Sequence, residues 1–112
     1  MTIDMAALVA HIRAEITEIE AAERATAWNR EAVELDQQSV GRLSRMDALQ
    51  VQAMALAESR RRGQRLVALK AALKRADEDE LGWCQECGEE IAAGRLALDP
   101  ATPLCIACAQ GL

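Results

Sequence analysis

Four cysteines are the residues of this chain whose type and spacing point to chemistry. Cys84-Gln85-Glu86-Cys87 and Cys105-Ile106-Ala107-Cys108 form the pattern C-x2-C-x17-C-x2-C and include every cysteine present. Two Cys-x-x-Cys pairs at this separation have the spacing of a four-cysteine zinc site. A structural Zn²⁺ takes four ligands in a tetrahedron. Two intervening residues let one tight turn offer two thiolates to the same ion. Gly88 follows the first pair, where a residue free to adopt positive φ suits the turn. The second pair follows Thr102-Pro103-Leu104 and is expected to open a short helix, whose first N–H groups favour thiolates. Four cysteines close the coordination shell, so one structural zinc ion held by Cys84, Cys87, Cys105 and Cys108 is expected, as a staple rather than a reagent.

Two other uses of such cysteines compete. A disulfide framework belongs to secreted chains, and no signal peptide or secretory apolar region opens this sequence. A redox Cys-x-x-Cys of thioredoxin type needs a βαβ pattern around it, and neither pair has one.

The elements that must position these cysteines follow from composition. The 112 residues are 51% hydrophobic, yet include no Phe or Tyr and only two Trp. The apolar content is Ala, Leu, Val, Ile and Met, which suits long helices rather than a thick globular core. Charged residues make up 28% and the net charge is −5. That balance argues against a broad phosphate-neutralising face for nucleic acid. No apolar run reaches the length of a membrane span, so a soluble, cytoplasmic protein is expected. An enzyme would need a nucleophile–base pair, a histidine-rich metal set or a pocket-sized core, and none is apparent.

From about Ile3 to Leu35 there is neither Gly nor Pro, and Leu8, Ile12, Ile16, Ile19, Ala22, Thr26 and Val33 recur at three- and four-residue steps. This is the stripe of an amphipathic helix. His11 lies beside it and is given no role; Trp28 is expected to pack. Asp36 to Leu43, with Gly41, reads as a link, and Ser44 to Asp47 has the form of a capping box. A second helix is expected over about Arg45 to Asp79, with Met46, Leu49, Ala53, Leu56, Leu66, Leu69, Leu73 and Ala76 as its apolar edge. Gly63 interrupts it, at about 1 kcal/mol relative to Ala, with close backbone approach as one possible use. A turn near residue 40 makes the helices antiparallel neighbours and sets Arg60, Arg61, Arg62 and Arg65 level with Glu15, Glu18, Glu20 and Glu23. Asp77-Glu78-Asp79-Glu80 opposes the dipole of the helix end it closes, so the adjoining metal site is expected to hold that end. Trp83 is expected to pack the finger against the helix ends, and Glu90-Ile91 and Arg95 to Leu98 read as short strands. The fold class is therefore mainly α: a long antiparallel helical hairpin, or coiled coil, over residues 1–80 with its turn at about 36–44. A small C-terminal four-cysteine zinc finger with a short helix follows over 81–112.

The run Asp77 to Ile91, then Arg95-Leu96, Pro100 and Leu104 to Cys108, resembles the DksA/TraR family of bacterial proteins. The acidic run, the Gly-Trp-Cys step, Cys-Gly-x-Glu-Ile and Arg-Leu-x-x-x-Pro carry the resemblance together, from about Leu66 to Cys108. It implies a transcription regulator that binds RNA polymerase through its secondary channel rather than binding DNA, with the hairpin tip inserted. The tip here is about Gln37 to Asp47. The family's best-known members carry Asp-x-x-Asp-x-Ala there. An ungapped count from Cys84 sets those positions on Gly41, Ser44 and Met46, none of which matches, with Asp36 and Asp47 the nearby acids. The tip is therefore atypical. Arg61 matches a basic position that the family places against the channel rim. The positions at which some members bind the alarmone ppGpp fall on Ala68, Asp99 and Ala109, which carry no positive charge, so ppGpp is not expected at the usual helix–finger site; Lys70, Lys74, Arg75 and Arg95 lie nearby. The rival reading is a zinc-stapled coiled-coil adaptor that binds another protein without polymerase activity.

Overall fold

The structure, a computed structural model, describes residues 4–37 and 42–111, with the side chains of 28–37 and 42–44 left out of the description. Four helices follow in order: α1, Met5–Gln37; α2, Arg42–Asp77; α3, Ala93–Leu98; and α4, Ile106–Ala109. No strand forms among the described residues; one isolated antiparallel bridge joins Trp83 to Glu90. The fold is a long antiparallel helical hairpin followed by a small four-cysteine finger. The chain divides into two compact units, one of Met1–Ile16 with Leu66–Leu112, the other Thr17–Arg65.

In the first unit Asp4 starts α1, its Oδ1 accepting from the Ala7 N–H at 3.1 Å. The unit's core is built from Ile12 of α1, Leu69 and Ala72 of α2, Leu96 of α3, and Leu81, Ile91 and Ala101 outside the helices, all essentially inaccessible. Leu66, Leu73 and Ala76 lie half-buried on the Leu69 side of α2.

The second unit shows how the two helices run past each other. Glu23 of α1 accepts from Arg62 Nε and, at 3.0 Å, from Ser59 Oγ of α2. Arg62 Nη2 reaches Thr26 Oγ1 at 3.3 Å. Arg62, one of the four arginines expected level with the glutamates of α1, meets Glu23. Glu58, one turn before Arg62, lies 3.9 Å from it. The half-buried residues of α2 here are Ala48, Gln52, Ala55, Ala57, Ser59, Arg62 and Arg65. Five of them, Ala48, Gln52, Ala55, Ser59 and Arg62, repeat at four- and three-residue steps and form a narrow, largely polar seam. Met46 and Leu49, expected on the packed edge, are instead 65% and 61% exposed, and Leu56 is 40% exposed. Their stripe lies one residue round the helix from the seam.

Other expectations change at the helix ends. The helices reach Gln37 and resume at Arg42, so both continue into the stretch expected as a link over 36–44. Each helical residue added to a formed helix gains a hydrogen bond without a new nucleation cost, and Gln, Arg and Leu favour the helix. Ser44 consequently lies inside α2 and not at its cap. The remaining link, 38–41 with Gly41, and the Trp28 side chain lie outside the described residues. Gly63 is not a point of close approach: a Cβ there would meet nothing within 4 Å.

The acidic end of α2 is closed by its own backbone. Asp79 takes φ 59. The Glu80 N–H donates to the Arg75 carbonyl at 2.7 Å and the Asp79 N–H to the Ala76 carbonyl at 3.2 Å. This pair of bonds is a Schellman motif with aspartate at the left-handed position usually given to glycine. The expectation that the adjoining metal site holds this end overlooked that local device. Arg95 to Leu98, expected as a strand, belong to α3: Ala, Arg and Leu favour the helix, and no β-branched residue opposes it. Trp83, expected to pack the finger against the helix ends, is 48% exposed.

Candidate metal centre

The two cysteine pairs are delivered by different devices. Cys84 and Cys87 sit on a tight turn. The Gly88 N–H donates to the Cys84 carbonyl at 3.0 Å, and the Cys84 N–H to the Glu89 carbonyl at 2.8 Å. Gly88 has φ 75, as the turn demands. Cys105 is the residue before α4, in extended conformation, and Cys108 lies within that helix. The Ala109 N–H donates back to the Cys105 carbonyl at 2.9 Å.

These devices bring all four sulfurs within 4.8 Å of one another. Cys87 Sγ and Cys105 Sγ are 3.7 Å apart. A tetrahedral zinc with bonds of about 2.3 Å sets its sulfurs about 3.8 Å apart, whereas a disulfide needs about 2.05 Å. The cysteines are unpaired, and the spacing fits an ion, not a bridge. The donor set is four thiols with no carboxylate or imidazole, which selects a thiophilic ion such as zinc. The residues present therefore fit one structural Zn²⁺.

The electrostatics favour thiolate at the innermost ligand. Cys84 is 3% exposed. The N–H groups of Cys87, then Cys105, then Glu86 face its sulfur and hold the thiol down at about 6, against burial that opposes them. Cys108 is pushed upward, first by Cys105 and Cys84 beside it. Thiols crowded this closely cannot all ionise until a cation neutralises them. Around the sulfurs, Cys84, Ile91 and Leu96 form an apolar cluster on which Leu8 of α1, Leu104, Cys105 and Cys108 pack.

Sequence reasoning missed the residues that tie the second pair in place. The segment from Asp99 to Leu104 lies outside any helix. Arg75 Nη2, from α2, donates to the Ala101 carbonyl at 3.2 Å. The Gln85 N–H, from the first cysteine turn, donates to the Pro103 carbonyl at 2.9 Å. Arg95 Nε, from α3, donates to the Leu104 carbonyl at 3.0 Å, and Thr102 Oγ1 lies 3.4 Å from that same oxygen. The Arg-Leu-x-x-x-Pro step was the available signal, but it carried only the resemblance. Arg75 and Arg95 are thus spent on backbone carbonyls, whereas Lys70 and Lys74 are exposed. Asp99 Oδ1 accepts from the Ala101 N–H at 3.1 Å.

Of the positions expected to meet a partner, Met46, Asp47 and Arg61 are exposed on α2 in the second unit. Ser44 lies on the same helix without a described side chain, and Gly41 is outside the described residues.

Residues 80–112 match the model of the prokaryotic dksA/traR C4-type zinc finger. Over 40 residues the chain is 48% identical to the RNA polymerase-binding transcription factor DksA of Haemophilus influenzae and 38% identical to that of Escherichia coli K12. Each match covers 36% of this chain, and 28% and 26% respectively of those proteins. The structure of transcription factor DksA2 from Pseudomonas aeruginosa superposes with a TM-score of 0.83 over 96% of this chain and 81% of that one, at 22% identity, a likeness of fold. The finger of this chain is thus similar in sequence to the dksA/traR C4-type zinc finger, and its helical hairpin is similar in fold to DksA2.

Proposed function

We propose that this protein is a transcription regulator that acts by binding RNA polymerase through the secondary channel, not by binding DNA and not as an enzyme. The observation that carries the reading is a family zinc finger joined to a helical hairpin with the fold of DksA2. Residues 81–112 are assigned to the metal-bound finger and residues 1–80 to the hairpin that reads the partner. The net charge of −5 gives DNA phosphates little to bind. No described helix is long and apolar enough to cross a membrane, which suits a cytoplasmic role.

Within this reading the tip is atypical, with Gly41, Ser44 and Met46 at the positions where relatives carry their motif and Asp47 as the acid left beside them. Exposed Met46, Leu49, Val51 and Met54 support a protein partner for this part of α2, since clustered exposed apolar side chains mark interaction surfaces. Arg61 is assigned to the channel rim. The usual helix–finger positions, Ala68, Asp99 and Ala109, offer no cation to ppGpp, and Arg75 and Arg95 are engaged with carbonyls. Regulation independent of ppGpp at that site follows.

Capture of the zinc-loaded chain on immobilised core RNA polymerase tests the reading. Binding should occur and weaken in Met46→Asp and Arg61→Glu variants that keep their helical spectrum. Absence of binding would sink it and leave the zinc-stapled adaptor. Transcription in vitro, with a polymerase whose other ppGpp site is removed, should show protein and ppGpp acting without synergy.

A further inference from the structure

We propose that Arg95 is a positioning residue for the metal: by holding the Leu104 carbonyl it fixes the peptide that aims the Cys105 thiolate. The Leu104 carbonyl and the Cys105 N–H belong to one planar peptide unit and, in the trans form, point in opposite directions. Arg95 Nε donates to the oxygen at 3.0 Å. The N–H at the other edge faces the Cys84 sulfur. The plane is gripped from both sides, by α3 and by the first cysteine pair. Gripping the plane sets the Cys105 Cα and the direction of its Cβ, and hence where Sγ stands relative to Cys87 Sγ, 3.7 Å away.

No other ligand has a comparable support from a distant side chain among the bonds described. Cys84 and Cys87 are set by their own turn, and Cys108 is carried by α4. Cys105 precedes the helix, after a stretch without regular structure, so its orientation depends on this carbonyl. Thr102, 6% exposed, places its hydroxyl 3.4 Å from the same oxygen and reinforces the hold. Groups that orient metal ligands in this way commonly contribute 10- to 100-fold in affinity.

Two substitutions isolate the bond. Arg95→Gln keeps a nitrogen donor at the chain position of Nε without the charge, and Arg95→Met keeps the length without the donor. Zinc affinity is measured on the full chain by competition with a chromogenic chelator. The geometry is read from the visible bands of the cobalt(II)-loaded protein, which a loss of fold stability alone would not alter at saturation. Arg95→Met should lose about 10- to 100-fold in zinc affinity and show a weakened, shifted cobalt spectrum. Arg95→Gln should stay within about threefold of the parent in affinity, and its spectrum should be unchanged. Arg75→Met, which frees a carbonyl four residues before Cys105, should alter the spectrum less than Arg95→Met does. Parental affinity and spectrum in Arg95→Met would overturn the proposal. So would equal losses in the Met and Gln variants, or an equal spectral change in Arg75→Met. Should Arg95→Met fail to fold, Thr102→Val carries the test: a smaller affinity loss in the same direction is expected, and unchanged affinity and spectrum would refute the hold on Leu104.

Discussion

Leu49 and Leu69 lie on the same helix and look alike to a hydrophobic pattern, so truncating each to alanine separates the structure from the pattern. Leu69 is completely buried, and Leu49 is 61% exposed. A buried Leu→Ala change removes the transfer energy of the side chain and leaves a cavity, costing about 2–5 kcal/mol. Leu69, in the centre of its unit's core, should fall near the middle, at about 3 kcal/mol. At Leu49 about two-fifths of the side chain is covered. Full burial of leucine contributes roughly 2 kcal/mol, so the loss is about 0.8 kcal/mol, less about 0.2 because alanine favours the helix. For a domain near this size each kcal/mol moves the melting temperature by roughly 4–8 °C. The melting temperature of the zinc-saturated chain, followed by circular dichroism, should therefore drop by about 12–24 °C in Leu69→Ala and by about 5 °C or less in Leu49→Ala. Equal drops would refute the packing described for α2 and restore the stripe through Met46, Leu49, Ala53 and Leu56 as the packed edge.

Removing zinc with a strong chelator should open residues 81–111 to protease, and residues 4–16 with them because Leu8 packs on the finger's cluster, while most helical signal survives; an unaltered digestion pattern would contradict the shared core. Arg62→Glu sets like charges against Glu23 and should cost about 1 kcal/mol in urea unfolding, whereas Arg61→Glu, exposed and outside the bonds described, should stay within about 0.5 kcal/mol; the reverse order would show the register wrong. Asp79→Gly relieves a left-handed residue in the cap of α2 and should raise stability by roughly 1 kcal/mol with an unchanged urea slope; a loss would mean that the aspartate side chain contributes to the cap.

The metal ligands were legible because their spacing is a property of one short stretch and zinc admits few donor sets. The stripe of α1 was legible for a similar reason: Ile12, Ile16 and Ile19 keep one period without interruption. On α2 the pattern was misread. At about 100° per residue, ten residues set Leu56 and Leu66 about 80° apart, so the leucines on either side of Gly63 do not share one face. Following hydrophobicity across that gap chose the wrong side over 46–56. The packed side there is Ala48, Gln52, Ala55, Ser59 and Arg62, and its Ser59 and Arg62 are acceptable in a seam because Glu23 and Thr26 stand opposite to satisfy them. A pattern read from one helix cannot see its partner. The holds of Arg75 on Ala101 and of Arg95 on Leu104 span 26 and 9 residues and depend on loop carbonyls that no side-chain motif records.

The unequal filling of that seam has a consequence for fluctuation. α2 is one uninterrupted helix, yet over 66–76 it is secured by Leu66, Leu69, Leu73 and Ala76, and over 48–62 by small and polar side chains. Opening free energies follow buried apolar contact more closely than helix continuity. Amide hydrogens over 48–62 should therefore exchange through sub-global openings well below the free energy that protects those over 66–76. A single helix then spans two cooperative units, and its less protected part is the one whose methionines face outward. There the backbone can be reshaped by a binding partner at little energetic cost while the cysteine cluster stays closed.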